Sequence, residues 1–164
     1  MTDEMIFEQA TSNKGGRFNG DRIHLEEHIL RAKDLLEWYK TDKKLLKPFP
    51  PIIYDFVDNN KFNAMAMKYE GKYIIAIHES VRLMLFDLFN RMLSHKEILV
   101  EVGDVSEEVE YNNRISDYYT DLNSMVEKGH NKNYVFRYPV NRIRRLYAHH
   151  LTTLAMDFIF EHEL

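Results

Sequence analysis

From Pro139 to Leu164 the chain contains no second proline and no glycine. Proline is tolerated in a first helical turn, where its missing N–H would have no partner anyway, so this run predicts a helix of about seven turns over 139–164. Within it Ile143, Tyr147, Leu151, Leu154 and Phe158 recur at three- and four-residue steps, with Ala155 and Ile159 beside them. That spacing reads as the face turned toward a core. The next step of the same row is His162, so the pattern predicts a histidine aimed into the protein interior.

A core large enough to receive such a helix is expected. The chain has 164 residues, 45% of them hydrophobic, with 10 Phe and 10 Tyr against 6 Gly and 4 Pro. This excludes a wholly disordered or collagen-like chain and predicts a single domain over 1–164. The formal charge of −4 implies no broad cationic surface, so nucleic acid is not an expected partner. There is no cysteine, hence no disulfide and no thiolate ligand, which suits a reducing compartment. The acidic start Met1-Thr2-Asp3-Glu4-Met5 is unlike a secretory signal, and no apolar run reaches the roughly 20 residues that span a bilayer, so a cytoplasmic protein without membrane contact is expected.

Along the chain, the Gly- and Asn-containing segment 1–20 reads as a loosely ordered arm. A helix follows over 21–40, capped by Asp21, with Leu25, Ile29, Ala32, Leu36 and Tyr39 on its apolar face. Pro48, Pro50 and Pro51 end helical structure, and the runs 52–57, 62–69 and 72–77, separated by Asp58-Asn59-Asn60 and Glu70-Gly71, predict an antiparallel meander. Tyr73-Ile74-Ile75-Ala76-Ile77 is apolar on both alternating faces and is expected to be central or covered on both sides. Residues 80–94 return to helical spacing through Val81, Leu85, Leu88, Phe89 and Met92, with Met84 and Leu93 widening the stripe. The acidic stretch 97–113 reads as an exposed excursion, followed by a helix over 115–127, a polar loop and a short extended run at 134–136. The expected fold class is α+β, mainly helical, with a small antiparallel sheet packed against helices 80–94 and 139–164.

Three groups of residues could carry chemistry. The first is the terminal run Ala155-Met156-Asp157-Phe158-Ile159-Phe160-Glu161-His162-Glu163-Leu164. In the zinc motif H-E-x-x-H, two histidines one turn apart hold the metal and the intervening glutamate acts as general base. His162 and Glu163 match its first half, while the second histidine would be residue 166, beyond Leu164. The second group, His24-Leu25-Glu26-Glu27-His28, fits the inverted order H-x-x-E-H. The helix lacks an evident downstream Glu ligand in a matching helix, and histidines at the polar boundary of a mixed-charge helix are the preferred reading. The third is His149-His150 with Arg137, Arg142, Arg144 and Arg145. Adjacent histidines do not share a helix face, so one buried and one exposed histidine is expected. The arginines oppose the helix dipole and could bind an anion or an acidic partner, or pair with the 97–110 stretch. No Gly-rich phosphate loop and no G-x-S-x-G elbow is present.

The terminal run resembles the approach to H-E-x-x-H in zinc metallopeptidases of the zincin class. Together with Asn63-Ala64-Met65-Ala66, Gly71-Lys72-Tyr73-Ile74-Ile75-Ala76-Ile77 and the helix after them, it resembles the hairpin, supporting helix and active-site helix of gluzincin-like peptidases, including those of phage-exclusion type. The resemblance covers about 52–94 and 139–164, and only its last element has motif specificity. It implies a hydrolase of peptide bonds, with His162 as a first zinc ligand and Glu163 as the catalytic base that takes a proton from zinc-bound water. The substrate implied is a protein or peptide. A catalytic zinc needs three protein ligands, so the expectation is an N-terminal portion that is catalytically incomplete, with zinc held by the complete protein and not by this chain. The alternative is a non-enzymatic interaction or regulatory module, in which the acidic excursion and the arginine cluster contact another protein.

Overall fold

Strand formation is clearest where β-branched residues can pack on two sides at once. In the computed structural model, which describes residues 1–41, 50–108 and 137–164, Lys72–His78 forms the central strand of a three-stranded sheet. In chain order the strands are β1 (Ile52–Val57), β2 (Ala64–Tyr69) and β3 (Lys72–His78), and their spatial order is β1-β3-β2. Residues 70 and 71 join β2 to β3 in a two-residue turn with Glu70 at φ 48° and Gly71 at φ 74°. Two positive φ values in succession match the right-handed twist of a hairpin, and only the glycine adopts one without steric cost. The pair is antiparallel, with Tyr69 opposite Lys72.

β1, however, runs parallel to β3, with Ile52 opposite Tyr73 and Val57 opposite His78. The sheet is therefore mixed, which corrects the antiparallel meander. The turn residues 58–60 do reverse the chain, but the returning strand β2 lies on the far side of β3, and the inner place goes to the most apolar run. The α+β class stands, with helices α1 (Asp3–Thr11), α2 (Ile23–Thr41), α3 (Glu79–Leu93) and α4 (Arg142–Glu163).

The chain divides into two compact units, Met1–Asn59 with Asn63–Glu79 and Met156–Leu164, and Asn60–Phe62 with Ser80–Ala155. In the first unit both faces of the sheet are covered. Ile53, Val57, Ile74 and Ala76 pack with Ile6 and Phe7 of α1, while Ile75 packs with Ala32 and Leu36 of α2 and Phe160 of α4. Alternation along β3 thus sends Ile74 one way and Ile75 the other, which is why no polar residue fits between them. Residues 3–11 are helical and not a loose arm, because Thr2 accepts a hydrogen bond from the Met5 N–H at 3.3 Å and Asp3 and Glu4 complement the first turn. α2 begins as expected, with the Ile23 N–H donating to Asp21 at 3.1 Å, and it buries Leu25, Ile29, Ala32 and Leu36.

In the second unit α3 buries Val81, Met84, Asp87, Asn90 and Leu93, a row at three-residue steps. Of the expected stripe Val81, Met84 and Leu93 are buried, whereas Leu85, Leu88, Phe89 and Met92 are only half-buried. Asp87 is held by Arg91 at 2.9 Å, so the buried row includes charge that hydrophobic periodicity does not register. Arg144, on α4, has no exposed surface and uses all five guanidinium N–H groups. They donate to the carbonyls of Leu93, His95, Ile98, Leu99 and Val102 at 2.7 to 2.9 Å. The chain after α3 is thereby wound around one side chain. Gly103, at φ 66°, closes this loop where a Cβ would lie 2.3 Å from the Asn141 side-chain oxygen. The beginning of the acidic excursion is thus pinned, and Glu108 is buried, accepting from the N–H groups of Val140 and Asn141 at 2.9 and 3.0 Å. The readings for 109–136 and for 42–49 lie outside the described residues.

Candidate functional site

α4 begins at a cap one residue earlier than its first helical position. The Asn141 side-chain oxygen accepts from the N–H groups of Ile143 and Arg144 at 3.0 and 3.2 Å, so Pro139 precedes the helix and does not open it. The buried row along the helix is Arg144, Ala148, Thr152, Met156 and Phe160, at steps of four. The row expected in the core faces outward instead: Phe158 is 70% exposed and Phe160 1%. The two rows lie on different sides of the same cylinder, and the more hydrophobic one is the uncovered one.

His162 follows its row. It is exposed, with its ring stacked on Phe158 at 6.4 Å between centroids and 16° between planes. The expectation of an inward imidazole is corrected by this rotation. Glu163, the last helical residue, is half-buried. The opposite side of the same turns is fixed in the first unit. Phe160 meets the Tyr54 ring at 4.8 Å and packs with Ile75, and Arg31 of α2 donates to Asp157 through Nε and Nη2. That pair holds the Arg31 guanidinium more firmly protonated than usual, the hydrogen bond to Asp157 outweighing desolvation.

The other candidate histidines, at 24 and 28 and at 149 and 150, form no metal-holding group among the described residues. His24 is exposed at the start of α2, whereas His28 is buried with its ring 6.4 Å from Phe56. His149 and His150 are both exposed, which corrects the expectation that one is buried, and their rings lie 6.4 Å from those of Phe86 and Tyr147 respectively. Among the described residues no three His, Asp or Glu side chains are grouped to hold a metal ion. One matched donor on α4 does not make up a zinc site by itself.

One charged cluster was not foreseen from the sequence. The Asp55 carboxylate on β1 is buried and takes Arg17 at 2.5 Å and Arg22 at 2.6 Å, while Arg22 also donates to the Phe18 carbonyl at 2.6 Å. A cavity of about 250 Å³ lies beside it, lined by Glu26, Lys33 and Tyr54 among others. Both guanidinium groups are committed to carboxylates, with Glu4 and Glu26 completing the set, so the cluster fastens the segment 15–22 to the sheet and leaves little free charge for a ligand. Partners more than 30 positions apart leave no periodic signal in a sequence. Among the described residues no helix is long and apolar enough to cross a membrane. In comparisons with known proteins, the chain matches no family model, no curated protein and no solved structure.

Proposed function

We propose that this chain is the N-terminal portion of a zinc-dependent, peptidase-like protein that hydrolyses peptide bonds in its complete form, with His162 as a metal ligand and Glu163 as general base. What supports it is the match of His162 and Glu163 to the first half of H-E-x-x-H at the end of a long helix anchored by Phe160 and by the Asp157–Arg31 pair; the outward imidazole does not add to that support. A ligand must present its lone pair where other donors can converge, and it must be held by a rigid element.

The test is casein hydrolysis by the polypeptide translated from the complete reading frame, compared with Glu163→Gln and His162→Ala. Hydrolysis that is abolished by a chelator and by either substitution is the expected result. Hydrolysis untouched by His162→Ala overturns the assignment, as does a continuation that adds no metal-donating side chain. Protein or peptide is the substrate class in this proposal. A cytoplasmic location goes with it, since a chain without cysteine suits a reducing compartment.

The second reading, a non-enzymatic interaction or regulatory module, is favoured by a separate observation, the uncovered apolar residues on α4 between Ile143 and Leu154.

A further inference from the structure

Four large apolar side chains stand out from the part of α4 that belongs to the second unit: Ile143, Leu146, Tyr147 and Leu154, exposed by 59%, 61%, 38% and 46%. With the exposed His150 between them, positions 143, 147, 150 and 154 follow steps of four, three and four. That is the heptad spacing by which one helix receives another, over about three turns or roughly 16 Å. Exposed apolar surface concentrated on one helix face is costly in water and marks a contact surface.

The charges beside it choose the partner. Arg142 and Arg145 are exposed at the start of the row, and no Asp or Glu occurs between 142 and 156. Arg145 rests over the Tyr138 ring and donates to the Pro139 carbonyl at 3.0 Å, which keeps its positive charge at the edge of the face without neutralising it. The positive end of the α4 dipole lies there too.

We propose that this face binds an acidic amphipathic helix of a partner protein, apolar along its seam and carrying carboxylates opposite Arg142 and Arg145. A second copy of the same face would bring no carboxylate to either arginine. An anionic membrane would attract two exposed arginines, but two fall short of the cluster of about four to eight basic residues by which a protein surface holds lipid headgroups. The proposal uses neither His162 nor Glu163 and stands apart from the peptidase reading.

The experiment is fluorescence anisotropy of the full chain with two synthetic peptides of about three heptads, both with leucine at the seam, one flanked by Glu and the other by Lys. The Glu peptide should bind about tenfold or more tightly than the Lys peptide, and less tightly as salt rises. Arg142→Glu with Arg145→Glu should invert that preference, and Leu146→Asp with Leu154→Asp should abolish both signals. All four positions are exposed, and circular dichroism verifies that the variants keep the fold. Equal affinity for the two peptides, or no binding of either, overturns the proposal. So does self-association by sedimentation that Leu146→Asp removes, or binding to phosphatidylserine vesicles in the absence of peptide binding.

Discussion

Arg144 is the residue on which the second unit depends most. Five carbonyl oxygens converge on its guanidinium, and the buried Glu108 carboxylate lies 3.7 Å away, so a buried charge is compensated by backbone dipoles and by an opposite charge. Lysine keeps the charge but has three donors in place of five and no planar fork. Arg144→Lys should therefore lose about 3 kcal/mol in urea unfolding, with amide exchange in the 94–103 loop speeding up first; unchanged exchange there would contradict this role. In the sequence Arg144 reads as one of four surface arginines, and nothing in its neighbours reveals that it is the buried one. Tyr54 offers a second test in the first unit. Burial first, and then the charges of Asp55 and Asp157, raise its phenol well above the usual value. A group raised in the folded state contributes stability that is present below its unfolded pKa of about 10 and is lost as pH climbs beyond it. The urea midpoint should therefore fall progressively as pH rises above about 10, and Tyr54→Phe should flatten that decline.

Among the elements, α4 carries the clearest lesson about legibility. Its length was readable from the absence of Pro and Gly, but its orientation was not. Two rows compete on this helix, and the row of Arg144, Ala148, Thr152, Met156 and Phe160 is less hydrophobic than the one it displaces from the core. Arginine and threonine can be buried because their polar atoms are satisfied: Thr152 donates to the Ala148 carbonyl at 2.9 Å. Phe160→Ala should accordingly cost about 3–5 kcal/mol, while Phe158→Ala should stay within about 0.5 kcal/mol. Equal losses in thermal or urea unfolding would refute the observed rotation. The central place of β3 was legible because alternation with no polar residue has one reading. The parallel pairing of β1 was not, since turn residues announce a reversal without saying on which side of the next strand the chain returns. α1 could have been found from Thr2-Asp3-Glu4, a capping residue followed by acidic residues, had the glycines after it weighed less.

At the scale of the whole molecule, the chain builds two compact units and α4 contributes residues to each, up to Ala155 in one and from Met156 in the other. The candidate site was legible only as a two-residue motif match at His162 and Glu163, and among the described residues no group of three donors accompanies it. The functional account rests on His162 being a metal donor presented on the open side of α4. Zinc content per chain, measured on the polypeptide from the complete reading frame, tests that directly. About one zinc per chain, lost in His162→Ala and retained in Phe158→Ala, is the predicted result. Stoichiometric zinc that survives His162→Ala, or no zinc in the unaltered protein, would contradict it.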